Sequence, residues 1–149
     1  MAEALGQAVG DFALQHPKRA DDVTLDVAPG LALLADRTAL ARCLANLLDN
    51  AGKFTLAGTA IRVSAEPAAG ALVRIVVADG GEGIAPADRA RVFELYERGR
   101  SAAAPAAPGT GLGLALVREL VQGMGGRVTL LETPRGAAFE IVLPEAPHG

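Results

Sequence analysis

Asn46-Leu47-Leu48-Asp49-Asn50-Ala51-Gly52-Lys53-Phe54-Thr55 is the stretch on which the reading of this chain turns. It closes a run in which Leu40, Cys43, Leu44, Leu47, Leu48 and Ala51 recur at three- and four-residue spacing. That is the stripe of a helix that buries one face, and Asp36 stands where its N-cap belongs. Asn46 and Asn50 are four positions apart and therefore share a face. Lys53 follows three positions later, near the same face. Neutral amide oxygens are hard ligands suited to Mg²⁺, which usually shares its shell between waters and substrate phosphates. A lysine adds a point charge for phosphate. Read alone, the two amides suit a solvent-facing helix end equally well.

Outward from this helix, apolar periodicity predicts the remaining elements. Leu5, Val9, Phe12 and Ala13 predict a helix over 2–14, which Pro17 follows. Alternation predicts a strand over 23–27, Pro29-Gly30 a turn, and 31–35 a short second strand. Beyond Gly52, strands are predicted over 59–65 and 72–78. The latter is so apolar (Val73, Ile75, Val76, Val77) that it reads as covered on both faces. A short helix is predicted from Pro86 to about Tyr96. Residues 101–108 are Ser, Ala and Pro only, which reads as a mobile loop. A helix over 112–124 closes at Gly125-Gly126. Strands over 127–131 and 138–143 join through Pro134-Arg135-Gly136. Three main helices and about six strands in this order predict an α/β (α+β) two-layer sandwich, one mixed β-sheet covered by helices on one face.

Size and composition agree with one such domain. The chain has 149 residues, half of them hydrophobic, so it can bury a core without disulfides. Aromatics make up 3%, so that core must be built from Ala, Val, Leu and Ile. A net charge of -3 without blocks of like charge argues against a nucleic-acid partner and a polybasic membrane patch. Cys43, the single cysteine, reads as a small buried hydrophobe. No stretch has the apolar length to cross a bilayer, and no signal peptide is visible.

Three further segments carry chemistry. Asp79-Gly80-Gly81-Glu82-Gly83-Ile84 places an acid at the end of the apolar strand. A carboxylate there can accept a hydrogen bond from an exocyclic amine such as that of adenine, and glycines let a ring come close. The same residues would also make an ordinary strand-closing turn. Phe93-Glu94-Leu95-Tyr96-Glu97-Arg98 offers two aromatics to fasten a loop and a cation for a terminal phosphate, while read alone the aromatics also suit plain core packing and the arginine a solvated charge. Gly109-Thr110-Gly111-Leu112-Gly113-Leu114 opens a helix, whose free N–H groups suit an anion. No strand directly precedes it, which argues against a dinucleotide-binding turn. The absence of Gly-Lys-Ser/Thr excludes a P-loop.

In this order the four segments resemble the N, G1, F and G2 boxes of the catalytic ATP-binding domain of bacterial sensor histidine kinases. That domain belongs to the Bergerat-fold group with DNA gyrase B, Hsp90 and MutL. The resemblance runs from about Leu5 to Pro144. It implies a single Bergerat ATP-binding domain over 1–149, a lid over about 85–110, and ATP with Mg²⁺ as cofactors. It implies that Asn50 and Asn46 hold the metal and that Lys53 and Arg98 meet the phosphates. Asp79 would bind the adenine amine, with Gly81, Gly83, Ile84, Phe93 and Tyr96 shaping the pocket. Gly109, Thr110, Gly111, Leu112, Gly113 and Leu114 would close over the phosphates. The family often has Ser or Thr after the glycine of the last hairpin, whereas Gly136 is followed by Ala137 and Ala138. The loss of that hydroxyl implies modest affinity.

The ATPase branch of the group carries a general-base Glu where this chain has Asn46. An amide is not titratable at neutral pH and cannot take a proton from water. The resemblance thus implies a site that holds ATP for transfer to a protein acceptor. His16, in Gln-His-Pro-Lys, and His148, in the tail, both read as exposed, and neither resembles the acceptor motif. The acceptor is expected on a dimerisation and histidine phosphotransfer domain upstream, with a response regulator downstream. The isolated chain is expected to be a monomer and the parent a homodimer, with this domain cytoplasmic and an inner-membrane anchor compatible with it. Two other readings are a free-standing serine kinase of the anti-sigma-factor type and a degenerate scaffold.

Overall fold

The structure is a computed structural model that describes residues 2–33, 35–53, 55–81, 110–133 and 135–146. In chain order the elements are α1 (Ala2–Gln15), a 3₁₀ turn (Pro17–Asp22), β1 (Val23–Val27), α2 (Arg37–Lys53), β2 (Ile61–Ala68), β3 (Leu72–Asp79), α3 (Thr110–Gly123), β4 (Arg127–Leu131) and β5 (Ala137–Pro144). The strands form one sheet in the order β1-β2-β3-β5-β4. Only the β1–β2 pair is parallel. A parallel pair of consecutive strands needs a crossover element, and α2 supplies it.

Why α2 lies on the sheet follows from its sequence. Asp36 Oδ1 accepts the Ala39 N–H at 3.0 Å, which caps the first turn as expected. Leu40, Cys43, Leu44, Leu47, Leu48 and Ala51 are all buried. They meet Ile61, Val63 and Ala65 of β2, Val73, Ile75 and Val77 of β3, and Phe139, Ile141 and Leu143 of β5 in one cluster. Side chains alternate across a strand, so these residues define one face. Helix α1 packs beside α2 through Leu5 and Phe12, and α3 flanks its other side through Val117 and Val121. The result is a two-layer sandwich with helices on one face.

Helix α3 ends as Gly125-Gly126 predict. Gly125 has φ +82°, and the N–H groups of Gly125 and Gly126 bond Gln122 O and Val121 O at 3.0 Å each. This is the paired C-terminal bonding that a left-handed glycine permits.

Two expectations are corrected. The described residues of 31–35 form no strand. Leu31, Leu33 and Ala35 pack against the core, and the segment makes one isolated bridge, Leu33 to Glu145. The described sheet therefore has five strands instead of about six. Nor is β3 closed over by apolar groups on both faces. Val73, Ile75 and Val77 are buried, but Arg74 and Val76 on the other face are half-buried. Arg74 there bridges Glu66, at 2.9 Å, and Glu140, while Arg62 pairs with Asp26 at 2.9 Å.

Cys43 is buried as expected, with Sγ 4.0 Å from Val117 O at the contact of α2 with α3. Burial pushes its thiol up to about 11. Only thiolate alkylates readily. Iodoacetamide at pH 8 is therefore expected to leave the native chain unmodified and to label it fully in denaturant. Labelling at equal rates in both states would contradict this packing.

Candidate functional site

The C-terminal half of α2 carries the first part of the site. Asn46 and Asn50 are half-buried on this helix, and Lys53 is exposed in its last turn. The Oδ1 of Asn50 is buried and accepts no hydrogen bond among the described residues. Buried polar atoms are nearly always partnered, and an orphaned carbonyl oxygen calls for an explanation. Asp49, between the two amides, pairs with His16 Nε2 at 3.5 Å, and the His16 ring lies 4.6 Å from that of Phe12. His16 is thus half-buried between α1 and α2 and does not stand free in solvent as expected.

The second part forms where β3 ends. Asp79 lies opposite Ile61 of β2 and Ala137 of β5. It continues the alternation of Val73, Ile75 and Val77 and so belongs to the helix-bearing face. Its Oδ1 accepts the N–H of Gly81 at 2.9 Å, and the N–H of Ala137 lies 3.4 Å away. Oδ2 has no partner among the described residues. One oxygen is thus held by backbone while no described residue bonds the other.

The tip of the β4–β5 hairpin closes on this turn, which the sequence did not announce. Arg135 Nε donates to Gly80 O at 3.1 Å, and Thr133 Oγ1 donates to Gly136 O at 3.0 Å. The Gly80 N–H bonds Ala60 O at 3.2 Å, which ties the same turn to the loop that follows α2. Gly136 is buried with φ +75°, and a Cβ there would fall 1.8 Å from Asp79 O.

Arg19 was missed altogether. It is the one buried charged residue among those described, 7% exposed. Its Nε bonds Asp22 Oδ2 at 2.6 Å. Its Nη1 donates to Gly52 O at 3.1 Å and Thr55 O at 3.2 Å. Its Nη2 donates to Thr55 Oγ1 at 2.8 Å and Thr59 O at 3.2 Å. Asp22 Oδ2 also accepts the Gly58 N–H at 2.9 Å. The Arg19 hydrogen bond, aided by Gly58, holds the Asp22 carboxyl below the usual carboxylate range. Only the Arg19–Asp22 spacing hints at this in sequence. The other partners lie more than thirty residues away.

The structure thus brings Asn46, Asn50 and Lys53 together on α2, and Asp79 and Gly81 at the end of β3, which α2 packs against. Thr110, Gly111, Leu112 and Gly113 open α3, and Leu114 is buried. Gly83, Ile84, Phe93, Tyr96, Arg98, Gly109 and His148 lie outside the described residues. So do the expected helix over 86–96, the loop over 101–108 and the body of the lid.

Comparison with known proteins adds an independent finding. The family described as "Histidine kinase-, DNA gyrase B-, and HSP90-like ATPase" matches residues 35–147. The sensor-like histidine kinase SenX3 of Mycobacterium tuberculosis is 37% identical over 141 residues, which is 91% of this chain and 34% of that protein. This chain therefore spans about a third of that relative. Among solved structures, a mycobacterial sensor histidine kinase MprB superposes with a TM-score of 0.79 at 31% identity, covering 99% of this chain and 97% of that one. Full-length ShkA in complex with AMPPNP also gives a TM-score of 0.79, at 34% identity, covering 98% of this chain and 30% of that one.

Proposed function

Since this chain belongs to the family of histidine kinase-, DNA gyrase B- and HSP90-like ATPases, we propose that it is the ATP-binding catalytic domain of a two-component sensor kinase. Its substrate would be Mg-ATP and its product a phosphohistidine on a dimerisation and phosphotransfer domain, read out by a response regulator. The domain is proposed to span 1–149, to be monomeric in isolation, and to work in the cytoplasm. No described helix is long and apolar enough to cross a membrane.

The observation that carries this reading is Asn50 Oδ1, buried and orphaned among the described residues. A buried carbonyl oxygen without a donor fits a hard cation. Asn50 and Asn46 would hold Mg²⁺, and the ion when bound would neutralise phosphate charge. Asp79, with Oδ1 anchored by backbone and Oδ2 available, is suited to accept the adenine amine. Lys53 would meet phosphate as a point charge. Asn46 cannot remove a proton from water, so ATP would persist until an acceptor side chain arrives.

The test is calorimetric titration with a non-hydrolysable ATP analogue, with and without Mg²⁺, on the wild-type chain and Asn50→Ala. Wild type is expected to bind more tightly with Mg²⁺. Asn50→Ala is expected to lose about tenfold or more of that gain, with no loss of thermal stability, because it removes a buried acceptor that has no partner among the described residues. Absence of Mg²⁺-dependent binding to the wild type at millimolar analogue would sink the proposal.

A further inference from the structure

Resting on the nucleotide reading above, we infer that Arg19 is a positioning residue for the metal-and-phosphate half of the site. Its hydrogen bonds go to neither the Asn50 nor the Lys53 side chain, and it acts through the backbone around them. Gly52 O, one of its acceptors, lies between those two residues in the chain. Thr55, which takes two of its bonds, also donates through Oγ1 to Ala51 O at 2.7 Å. Arg19 and Thr55 together therefore hold the carbonyls of the last turn of α2.

Helix ends fray because their last carbonyls have no intrahelical partners. A cation at a helix C-terminus meets both those carbonyls and the negative end of the helix dipole. The guanidinium fork is suited to satisfying several carbonyls at once, in a way a lysine ammonium is not. Asp22 balances the buried charge and fixes the fork.

The clamp also reaches the base side of the site. Arg19 Nη2 bonds Thr59 O, and the adjacent Ala60 O accepts the N–H of Gly80, next to Asp79. The two connections are unequal. Three of the Arg19 bonds fall on Gly52 and Thr55, which flank Lys53 two and five residues after Asn50. Only one points toward the turn after Asp79, and that turn has its own anchors in Gly81, Ala137 and Arg135. Loss of Arg19 should loosen the helix end more than the base turn.

The effect of losing Arg19 is therefore expected to be asymmetric. Arg19→Met and Arg19→Lys would be titrated with the ATP analogue with and without Mg²⁺, at a temperature where circular dichroism shows each variant folded. Arg19→Met is expected to lose about tenfold or more of the Mg²⁺-dependent gain in affinity, while Mg²⁺-free binding falls by less than about threefold. Arg19→Lys, which keeps the charge but not the fork, is expected to remain impaired. If Arg19→Met fails to fold, Arg19→Lys and Thr55→Ala carry the same comparison. A parallel loss with and without Mg²⁺, or a fall in thermal midpoint with both affinities intact, would make Arg19 merely structural and overturn the inference. A wild type without Mg²⁺-dependent binding would instead overturn the nucleotide reading on which it rests.

Discussion

Replacing Gly136 by alanine is expected to lower the thermal midpoint by about 10 °C or more. Two costs combine there. With φ at +75°, any side chain strains the backbone, typically by about 1–2 kcal/mol. The new Cβ would also stand 1.8 Å from Asp79 O and 2.8 Å from Asp79 C. Neither atom belongs to a flexible side chain that could swing aside. Asp79 is paired in the ladder with both Ile61 and Ala137, so relief requires the β3–β5 pairing to shift. Forced overpacking of this kind adds about 1–3 kcal/mol. Gly30 provides the control, since its φ is +76° but nothing lies within 4 Å of a Cβ built there. Gly30→Ala should show the backbone cost alone. Equal losses at the two positions in thermal unfolding would mean that the contact with Asp79 relaxes freely.

Asp79→Asn is expected to weaken binding of an ATP analogue by about 10- to 100-fold while leaving the fold intact, a loss of about 1.5–3 kcal/mol. Asparagine has the same shape, and its carbonyl oxygen can keep the bond from Gly81 N–H at 2.9 Å. The NH₂ group then takes the place of Oδ2. A donor would face the amine of adenine, itself a donor, and the negative charge that strengthens the native bond would be gone. Discrimination should fall with affinity. The wild type is expected to prefer ATP over GTP analogues, and the variant to lose most of that preference. Titration of both analogues against both proteins checks this, and an unchanged preference would remove Asp79 from the base-binding role.

Several parts of this architecture could be read from local pattern because local chemistry specifies them. The apolar stripe of α2, the Asp36 cap and the Gly125-Gly126 ending are written within a few residues of where they act. The strand over 23–27 is equally direct. The segment over 31–35 misled because its apolar residues do enter the core. They do so without a neighbouring strand, and composition cannot distinguish burial by packing from burial in a ladder. The run in β3 misled in a related way. Val76 is as apolar as its neighbours, yet it shares its face with Arg74 and the carboxylates that Arg74 bridges.

The candidate site divides along the same line. Asn46, Asn50, Lys53, Asp79 and Gly81 are recognisable as residue types at characteristic spacings, and family resemblance assigns them a ligand. Sequence does not say that Asn50 Oδ1 is buried without a partner among the described residues, that Gly136 rests on the Asp79 carbonyl, or that Arg19 grips the end of α2. In Pro17-Lys18-Arg19-Ala20-Asp21-Asp22 the arginine is one charge among several. It becomes a clamp only because the chain folds Gly52, Thr55 and Thr59 around it. Helix periodicity, caps and turns arise from contacts between near neighbours, so they are encoded locally. The desolvation of a charge and the absence of a partner depend on atoms that only three-dimensional packing brings together.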